Sequence, residues 1–267
     1  MKIAVVAPSC PVKADIPASV TAMAAARGLS IDYHPLATQR HGHFAGPDAA
    51  RAAAFIEAAN SPDYSAVWFA RGGYGVCRIV DDVLPQLNDN ARNKTYLGYS
   101  DAGFMLAALY KNGIGKCVHG PMTMDGDYGS DAAVQRAIGY FLDGSGLEGS
   151  CNDGLPHAAF TIQILANLAA TPWMPKLDGH VVMLEEVGEH LYAIDRAMFG
   201  IMNAPRMKGV AGIRLGRVSA IPDNEHDFGE TPEQIVERWC KKTGIPYLGR
   251  ADIGHDAENK IVPFGKI

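Results

Sequence analysis

Cysteines are few in this sequence, and none of them forms a C-x-x-C pair. The five cysteines are scattered along the chain at Cys10, Cys77, Cys117, Cys151 and Cys240. An odd number of unclustered cysteines argues against both a disulfide framework and a structural zinc site. Reduced thiols fit a cytoplasmic location best.

Long apolar runs and basic clusters are also missing. The N-terminal stretch MKIAVVAPSCP has one lysine, and its apolar run stops at Pro8, which is too short for a signal peptide or a membrane span. We therefore expect a protein that acts inside the cell, without a membrane. The formal net charge is -5 and no face collects Lys or Arg, so nucleic acid is not an expected partner.

The first half of the chain alternates short apolar runs with helical patterns. With 267 residues and 48% hydrophobic composition, the chain can bury one large core or two smaller ones. Strands are predicted at 3–7, 29–34, 65–70 and 95–100, and helices at 17–28, from Pro47, after RGGYG, and at 101–113. This alternation predicts βαβ units and a mostly parallel sheet.

A Gly-, Ser- and Asp-rich stretch at 142–156, LDGSGLEGSCNDGLP, indicates a domain boundary. We predict an N-terminal domain at 1–145, a linker at 146–158 and a C-terminal domain at 159–267. The second half has strand-like runs at 180–187, 209–219 and 260–265, and helical patterns near 161–170, 193–203 and 231–243. These patterns predict a mixed α/β domain with more β character.

The stretch YLGYSDAG at 96–103 places Ser100 between a strand-like run and a helix-like run. At the carboxyl edge of a parallel sheet, a side chain is exposed where α/β proteins bind ligands, and the following helix directs free N–H groups at it. A nucleophile would suit this corner. An alternative is that Ser100 or Asp101 only caps the helix. Ala102 stands where the G-x-S-x-G elbow has its second glycine.

A nucleophilic serine needs a base and an orienting carboxylate. His255 lies in a polar, glycine-containing loop, and Glu185 and Glu186 end an apolar strand, where a buried carboxylate needs a partner. His41 and His43 form an H-x-H without supporting ligands, so a solvated loop is favoured over a metal site. His119 reads as a turn or packing residue.

A second glycine-rich corner, ARGGYG at 70–75, follows a buried strand run. It has neither the P-loop nor the dinucleotide-binding register. Gly72 and Gly73 allow a backbone conformation that directs an N–H at a ligand, and Arg71 offers a guanidinium for a carboxylate. A plain tight turn would explain the corner equally well.

These pieces together resemble the LD-carboxypeptidases, a family of serine peptidases that includes the microcin C self-immunity peptidases. The resemblance spans nearly the whole chain and rests on several blocks in the family's order. The blocks are HGHFAGPDAAR at 41–51, ARGGYGVCRIV at 70–80, YLGYSDAG at 96–103, HGPM at 119–122, VVMLEEVGEHLYAIDR at 181–196 and IGHDAENKIVPFG at 253–265.

The resemblance implies a role for each matching residue. Ser100 would be the nucleophile, His255 the general base, and Glu185 the carboxylate that orients the imidazole. The N–H of Asp101 and one from Gly72 or Gly73 would form the oxyanion hole. Arg71 and Trp173 are candidate substrate-binding residues, and no metal or cofactor is implied.

The implied fold is a Rossmann-like N-terminal domain with the serine and a smaller β-rich C-terminal domain with Glu185 and His255. The implied function is removal of the terminal D-alanine from murein tetrapeptides in cell-wall recycling, by a cytoplasmic homodimer. The alternatives are a microcin-type peptidase that cleaves an aminoacyl-nucleotide amide and a non-catalytic muropeptide-binding protein. One departure is AFTI at 159–162, where the family usually has Gly-Gly-Asn-Leu, which bears on substrate preference.

Overall fold

Two β-sheets organise the chain in a computed structural model that describes residues 1–128, 131–223 and 225–267. The first sheet has six strands in the order β10-β5-β4-β3-β1-β2, and the second has four in the order β6-β7-β8-β9. Within the described residues the strands are β1 Lys2–Val6, β2 Ser30–Tyr33, β3 Ala66–Phe69, β4 Thr95–Gly98, β5 Lys116–His119, β6 His157–Thr161, β7 Val181–Val187, β8 Gly212–Ser219, β9 Tyr247–Arg250 and β10 Val262–Pro263.

Helices connect most of the successive strands, as parallel pairing requires. They are α1 Ile16–Ala25, α2 Asp48–Asn60, α3 Val80–Val83, α4 Gly103–Lys111, α5 Ala132–Asp143, α6 Ile162–Leu168, α7 Leu191–Asn203 and α8 Pro232–Thr243. None of these helices is long and apolar enough to cross a membrane. The predicted α/β fold class, with a mostly parallel first sheet, is confirmed.

The central strands of the first sheet are covered on both faces. Every residue of β3, with the sequence AVWF, is buried, as is typical of a parallel strand between two helical layers. Phe69 packs with Phe55 of α2 in one core, while its neighbour Trp68 belongs to the core on the other face, with Ile138 of α5. This rigid double layer positions the loops that follow β1, β3 and β4 at one edge of the sheet.

The second sheet is parallel throughout, and its strands alternate with α6, α7 and α8. The pairing of β7 with β8 shifts register between Leu184 and Glu186. Such an irregularity re-aims side chains at a sheet edge. Glu185 lies at this point, facing Gly216 of β8, where an added Cβ would lie 3.0 Å from the Glu185 Cβ.

The segment between the two sheets is folded rather than extended. Within the predicted linker 146–158, the Glu148 N–H donates to the Ile261 carbonyl at 2.9 Å, Cys151 is buried, and β6 already begins at His157. The last strand, β10, returns to pair antiparallel with β5 of the first sheet. The two halves of the chain therefore share a boundary, and the exact domain limits stay a prediction.

Candidate active site

Ser100 stands at a strained corner between β4 and α4. Its φ is 58°, in the left-handed region that residues other than glycine rarely occupy. The corner is tight because Gly98, two residues earlier, lies where an added Cβ would be 2.8 Å from the Phe69 Cβ. A non-glycine residue held in such a conformation is typical of functional sites, where the surrounding structure supports the strain. The half-buried Ser100 hydroxyl is displayed at the edge of the sheet.

The short 3-10 turn Ser100–Ala102 leads into α4 without a side-chain cap at either start. The alternative that Ser100 or Asp101 serves only as a helix cap is therefore not what the structure shows. The Asp101 carboxylate instead accepts hydrogen bonds from the Ser9 hydroxyl at 2.5 Å and the Val76 N–H at 2.9 Å. It ties the loops after β1 and β3 to the serine corner, and burial raises its pKa despite these bonds.

The glycine corner after β3 lies directly against the serine. A Cβ added at Gly72 would be 3.0 Å from both the Cβ and the Oγ of Ser100. Gly73 has a φ of 104°, and an added Cβ there would be 2.5 Å from the Cys10 Sγ. Backbone from this corner therefore reaches the hydroxyl with no side chain in between. Its position beside the first turn after Ser100 fits the predicted oxyanion hole, which stays a prediction.

His255 and Glu185 form a buried hydrogen-bonded pair. The His255 Nδ1 lies 2.6 Å from the Glu185 Oε2, and the Thr161 hydroxyl donates to the other oxygen, Oε1, at 2.6 Å. Burial alone would lower the pKa of His255, but the charge of Glu185 and its hydrogen bond outweigh burial, so this pKa is raised. Burial alone would raise the pKa of Glu185, but the positive imidazole holds it below its usual value.

Glu186 has a different environment from its neighbour. Its Oε2 accepts from the Gln163 N–H at 2.9 Å and its Oε1 from the Val187 N–H at 2.9 Å. Burial raises its pKa to about 7. Of these two neighbouring glutamates, Glu185 is therefore the hydrogen-bond partner of His255, while Glu186 is bonded to backbone N–H groups.

One cavity of about 510 Å³ collects most of the predicted residues. The first sheet contributes Arg71, Gly72, Gly73 and Ser100, and the second half contributes Glu186 and His255. Arg71 lines the cavity, and one Nη atom of its guanidinium donates to the Pro11 carbonyl at 2.9 Å. The remaining donors of that guanidinium suit a carboxylate ligand.

Trp173 does not line this cavity. Its indole N–H donates to the Asp81 carboxylate at 2.8 Å, and its ring lies 5.9 Å from the Lys111 Nζ. These contacts hold the side chain between α3 and α4, and the structure does not bring Trp173 to the cavity that Ser100 lines. The loop after α6 carries Trp173 to the surface of the helical layer, which its position in the sequence did not reveal.

His43 and His119 have surroundings that differ from those of His255. The His43 Nε2 lies 3.2 Å from the Cys10 Sγ, and across the described ranges no group of three or more His, Cys, Asp or Glu side chains is arranged to hold a metal. His119 is fully buried at the end of β5, bonded to Asn259, and burial lowers its pKa to about 4.

Three residues of the site were not found from the sequence: Tyr99, Asp125 and Thr161. Thr161 belongs to the departing AFTI block, which was the one signal that could have pointed to it. Tyr99 directly precedes the serine, and Asp125 follows β5 in the same cavity. Burial raises the pKa of Asp125 to about 7.

Comparisons with known proteins identify the family of the chain. The family model described as the LD-carboxypeptidase N-terminal domain matches residues 3–120, and the one described as the C-terminal domain matches residues 161–267. The murein tetrapeptide carboxypeptidase of Pseudomonas aeruginosa is 24% identical over 285 residues, covering 99% of this chain and 91% of its own.

Solved structures show the same fold. The muramoyltetrapeptide carboxypeptidase of Oxalobacter formigenes superposes with a TM-score of 0.81 at 25% identity, covering 98% of this chain and 93% of its own. The microcin C7 self immunity protein in complex with aspartyl sulfamoyl adenosine has a TM-score of 0.79 at 18% identity, covering 99% and 91%. With both family models matched in order, the chain belongs to the LD-carboxypeptidase family and is a serine-type carboxypeptidase.

Proposed function

We propose that this enzyme removes the terminal D-alanine from murein tetrapeptides, with Ser100 as nucleophile, His255 as general base and acid, and Glu185 as the orienting carboxylate. The observation that carries the proposal is the 2.6 Å contact of His255 Nδ1 with the buried Glu185, because His255 lines the same cavity as the strained Ser100. A base whose second nitrogen is held by a carboxylate is the arrangement that activates a serine.

In the proposed reaction, the Ser100 Oγ attacks the carbonyl carbon that precedes the D-alanine, and His255 Nε2 takes the hydroxyl proton. The C–N bond then breaks as the imidazolium gives that proton to the leaving amine of D-alanine. Water, deprotonated by His255, hydrolyses the remaining ester and restores the serine. Glu185 stays ionised, which keeps Nδ1 protonated and stabilises the imidazolium in both halves of the reaction.

Backbone N–H groups supply the complement to the negative oxygen of each tetrahedral intermediate. The N–H of Asp101 opens the first helical turn, where it has no partner within the helix, and the glycine corner lies against Ser100. Such fixed donors stabilise developing charge without having to reorganise. Arg71 is the cation of this cavity best placed to bind the terminal carboxylate of the substrate.

The murein substrate is favoured over an aminoacyl-nucleotide by the names of the relatives at higher identity. The similarity to the microcin C7 self immunity protein, at 18% identity, supports the fold and leaves that substrate as the alternative. A non-catalytic muropeptide-binding role is less favoured because Ser100 and His255 line one cavity and Glu185 is hydrogen-bonded to the imidazole.

The cellular setting is part of the same proposal. We expect a cytoplasmic homodimer that acts in cell-wall recycling. All five cysteines are free, which is consistent with a reducing compartment. Light scattering on the purified protein tests the oligomeric state, and a monomer at micromolar concentration would contradict it.

The deciding experiment compares two substrates with the purified enzyme. Release of D-alanine from a murein tetrapeptide should proceed with a kcat/KM at least tenfold above cleavage of an aspartyl sulfamoyl adenosine analogue. The reverse ranking would favour the microcin-type function. Tight binding of the tetrapeptide with no release of D-alanine would favour the non-catalytic role.

A further inference from the structure

Tyr99 and Asp125 form a buried pair beside His255 that the serine, histidine and glutamate do not account for. The Tyr99 hydroxyl donates to the Asp125 Oδ1 at 3.2 Å, and the Tyr99 ring lies 4.7 Å from the imidazole of His255, centroid to centroid. Both residues are almost fully buried. We propose that Tyr99 and Asp125 are positioning residues that hold the imidazole of His255 in line with Ser100. This proposal rests on the proposed function, because it takes His255 as the base.

The imidazole needs support beyond Glu185. His255 lies in the loop between β9 and β10, outside regular secondary structure, whereas Ser100 belongs to the first sheet. A single hydrogen bond at Nδ1 leaves the ring free to pivot about that contact. The Tyr99 ring packs on the imidazole at an interplanar angle of 54° and restricts this motion. Because Tyr99 is the residue before Ser100, it couples the position of the base to the backbone of the nucleophile.

Asp125 in turn fixes the phenol. Its Oδ2 accepts from the Met122 N–H at 2.8 Å while its Oδ1 accepts from the Tyr99 hydroxyl. The carboxyl is therefore anchored to the loop after β5, and the phenol cannot rotate without breaking a buried hydrogen bond. A buried polar group left without its partner is costly, so the pair favours a single arrangement.

The effect of Asp125 on His255 can be measured as a change in the pKa of the imidazole. Three carboxyl groups act on the imidazole, those of Glu185, Asp125 and Glu186, and each of them raises the pKa of His255. His119 also packs on the Tyr99 ring, and Arg71 lines the same cavity. Replacing Asp125 by asparagine keeps the shape and removes the negative charge that this carboxyl carries above its own pKa of about 7, so it should lower the pKa of His255.

The test uses Asp125→Asn and Tyr99→Phe in the full-length enzyme with a murein tetrapeptide as substrate. Each variant should lower kcat roughly tenfold with KM changed by less than about twofold, because alignment of the base matters most in the transition state. The acid limb of kcat/KM in Asp125→Asn should move to lower pH by roughly 0.5. In the double variant the losses should not add, because an asparagine amide has one acceptor oxygen for the two hydrogen bonds of the carboxylate, and both changes therefore weaken the same contact.

A matched control is Asp195→Asn, which removes a carboxylate from α7 that bonds Arg238 and Trp239 outside the cavity. It should leave kcat and the pH profile unchanged. Titration of the His255 imidazole by NMR, in a Ser100→Ala background, reads the charge effect without any activity.

The outcomes separate the two proposals. If Ser100→Ala retains activity, the proposed function fails. If Ser100→Ala is inactive but Tyr99→Phe and Asp125→Asn match the wild type in kcat and pH profile, only the positioning proposal fails. If Asp125→Asn does not fold, Tyr99→Phe still decides, because it removes one hydroxyl and keeps the ring.

Discussion

The two sheet edges that meet at the cavity contribute different chemistry. The first edge supplies one hydroxyl and a set of backbone donors, held by a strained Ser100 and by Gly72 and Gly73. The second supplies titratable side chains, Glu185 and Glu186, which are 0% and 2% exposed, with His255 beside them. Backbone geometry determines the chemistry of the first edge, whereas burial and charge determine the chemistry of the second. Variants can therefore disable one edge and leave the other intact.

The largest effect should come from the first edge. Ser100→Ala should fold normally and lower kcat by at least about 10³-fold, because loss of a nucleophile leaves only binding and the oxyanion donors. Kinetics with a murein tetrapeptide and a circular dichroism spectrum check both parts. A rate above a tenth of the wild type would contradict covalent serine catalysis.

At the second edge, the two adjacent glutamates should contribute unequally to catalysis. Glu185→Gln should lower kcat by roughly 10²-fold or more while KM is kept, because the amide favours the wrong tautomer of His255. Glu186→Gln should change either constant by only a few-fold, since its hydrogen bonds go to backbone N–H groups. If Glu186→Gln is the disabled enzyme, the assignment across β7 is wrong by one residue.

Backbone geometry at the first edge can be tested at Gly73. In Gly73→Ala the new Cβ would meet the Cys10 Sγ at 2.5 Å, and the φ of 104° is strained for alanine, so the corner must shift. We expect kcat to fall by roughly 10-fold or more through loss of an oxyanion donor. Gly28→Ala is the matched control, because its φ of 77° carries similar strain but no atom lies within 4 Å of the new Cβ. Equal activity of the two variants would contradict a role for the glycine corner.

The pH dependence isolates the charge effect at the second edge. The base form of His255 is neutral, so kcat/KM should fall as the pH drops through the pKa of His255, which lies above the ordinary 6.5. Glu185→Gln removes the charge that raises this pKa, so the acid limb of its residual activity should move to lower pH. A pH–rate profile of both enzymes measures this, and an unmoved limb would speak against the pairing.

The smallest expected effect is that of a chelator. Because serine, histidine and glutamate chemistry needs no Lewis acid, EDTA should leave kcat/KM unchanged. Assay after dialysis, with and without added zinc, checks this. Loss of activity that zinc restores would redirect attention to His41 and His43.

Much of the fold was predictable because its signals are local. The buried run AVWF, the proline at the start of α2 and the alternation of elements led to the α/β class and to β1, β3, β4 and α4 near their observed limits. The strand β6 and the helix α5 were not predicted. The sequence of β6, HAAFT, is short and rich in small residues, so its pairing with β7 rather than its own pattern makes it a strand.

For the site, resemblance supplied residue identities that spacing could not. Ser100, Glu185 and His255 are 70 or more residues apart, and His255 and Glu185 meet only because the loop after β9 folds over β7. The resemblance did not reveal where Trp173 lies: its indole N–H donates to Asp81, outside the cavity that Ser100 lines.

The sequence by itself determined the alternation of strands and helices, the position of Ser100 between a strand and a helix, and the conformational freedom of the backbone at Gly72 and Gly73. Each of these depends on neighbouring residues and on the backbone conformations that they allow. Only the tertiary structure decided which glutamate meets the imidazole, that Thr161 supports it, and that Tyr99 and Asp125 lie beside it. The physical reason is that burial and hydrogen bonding between residues distant in the chain exist only once the two sheets have packed together.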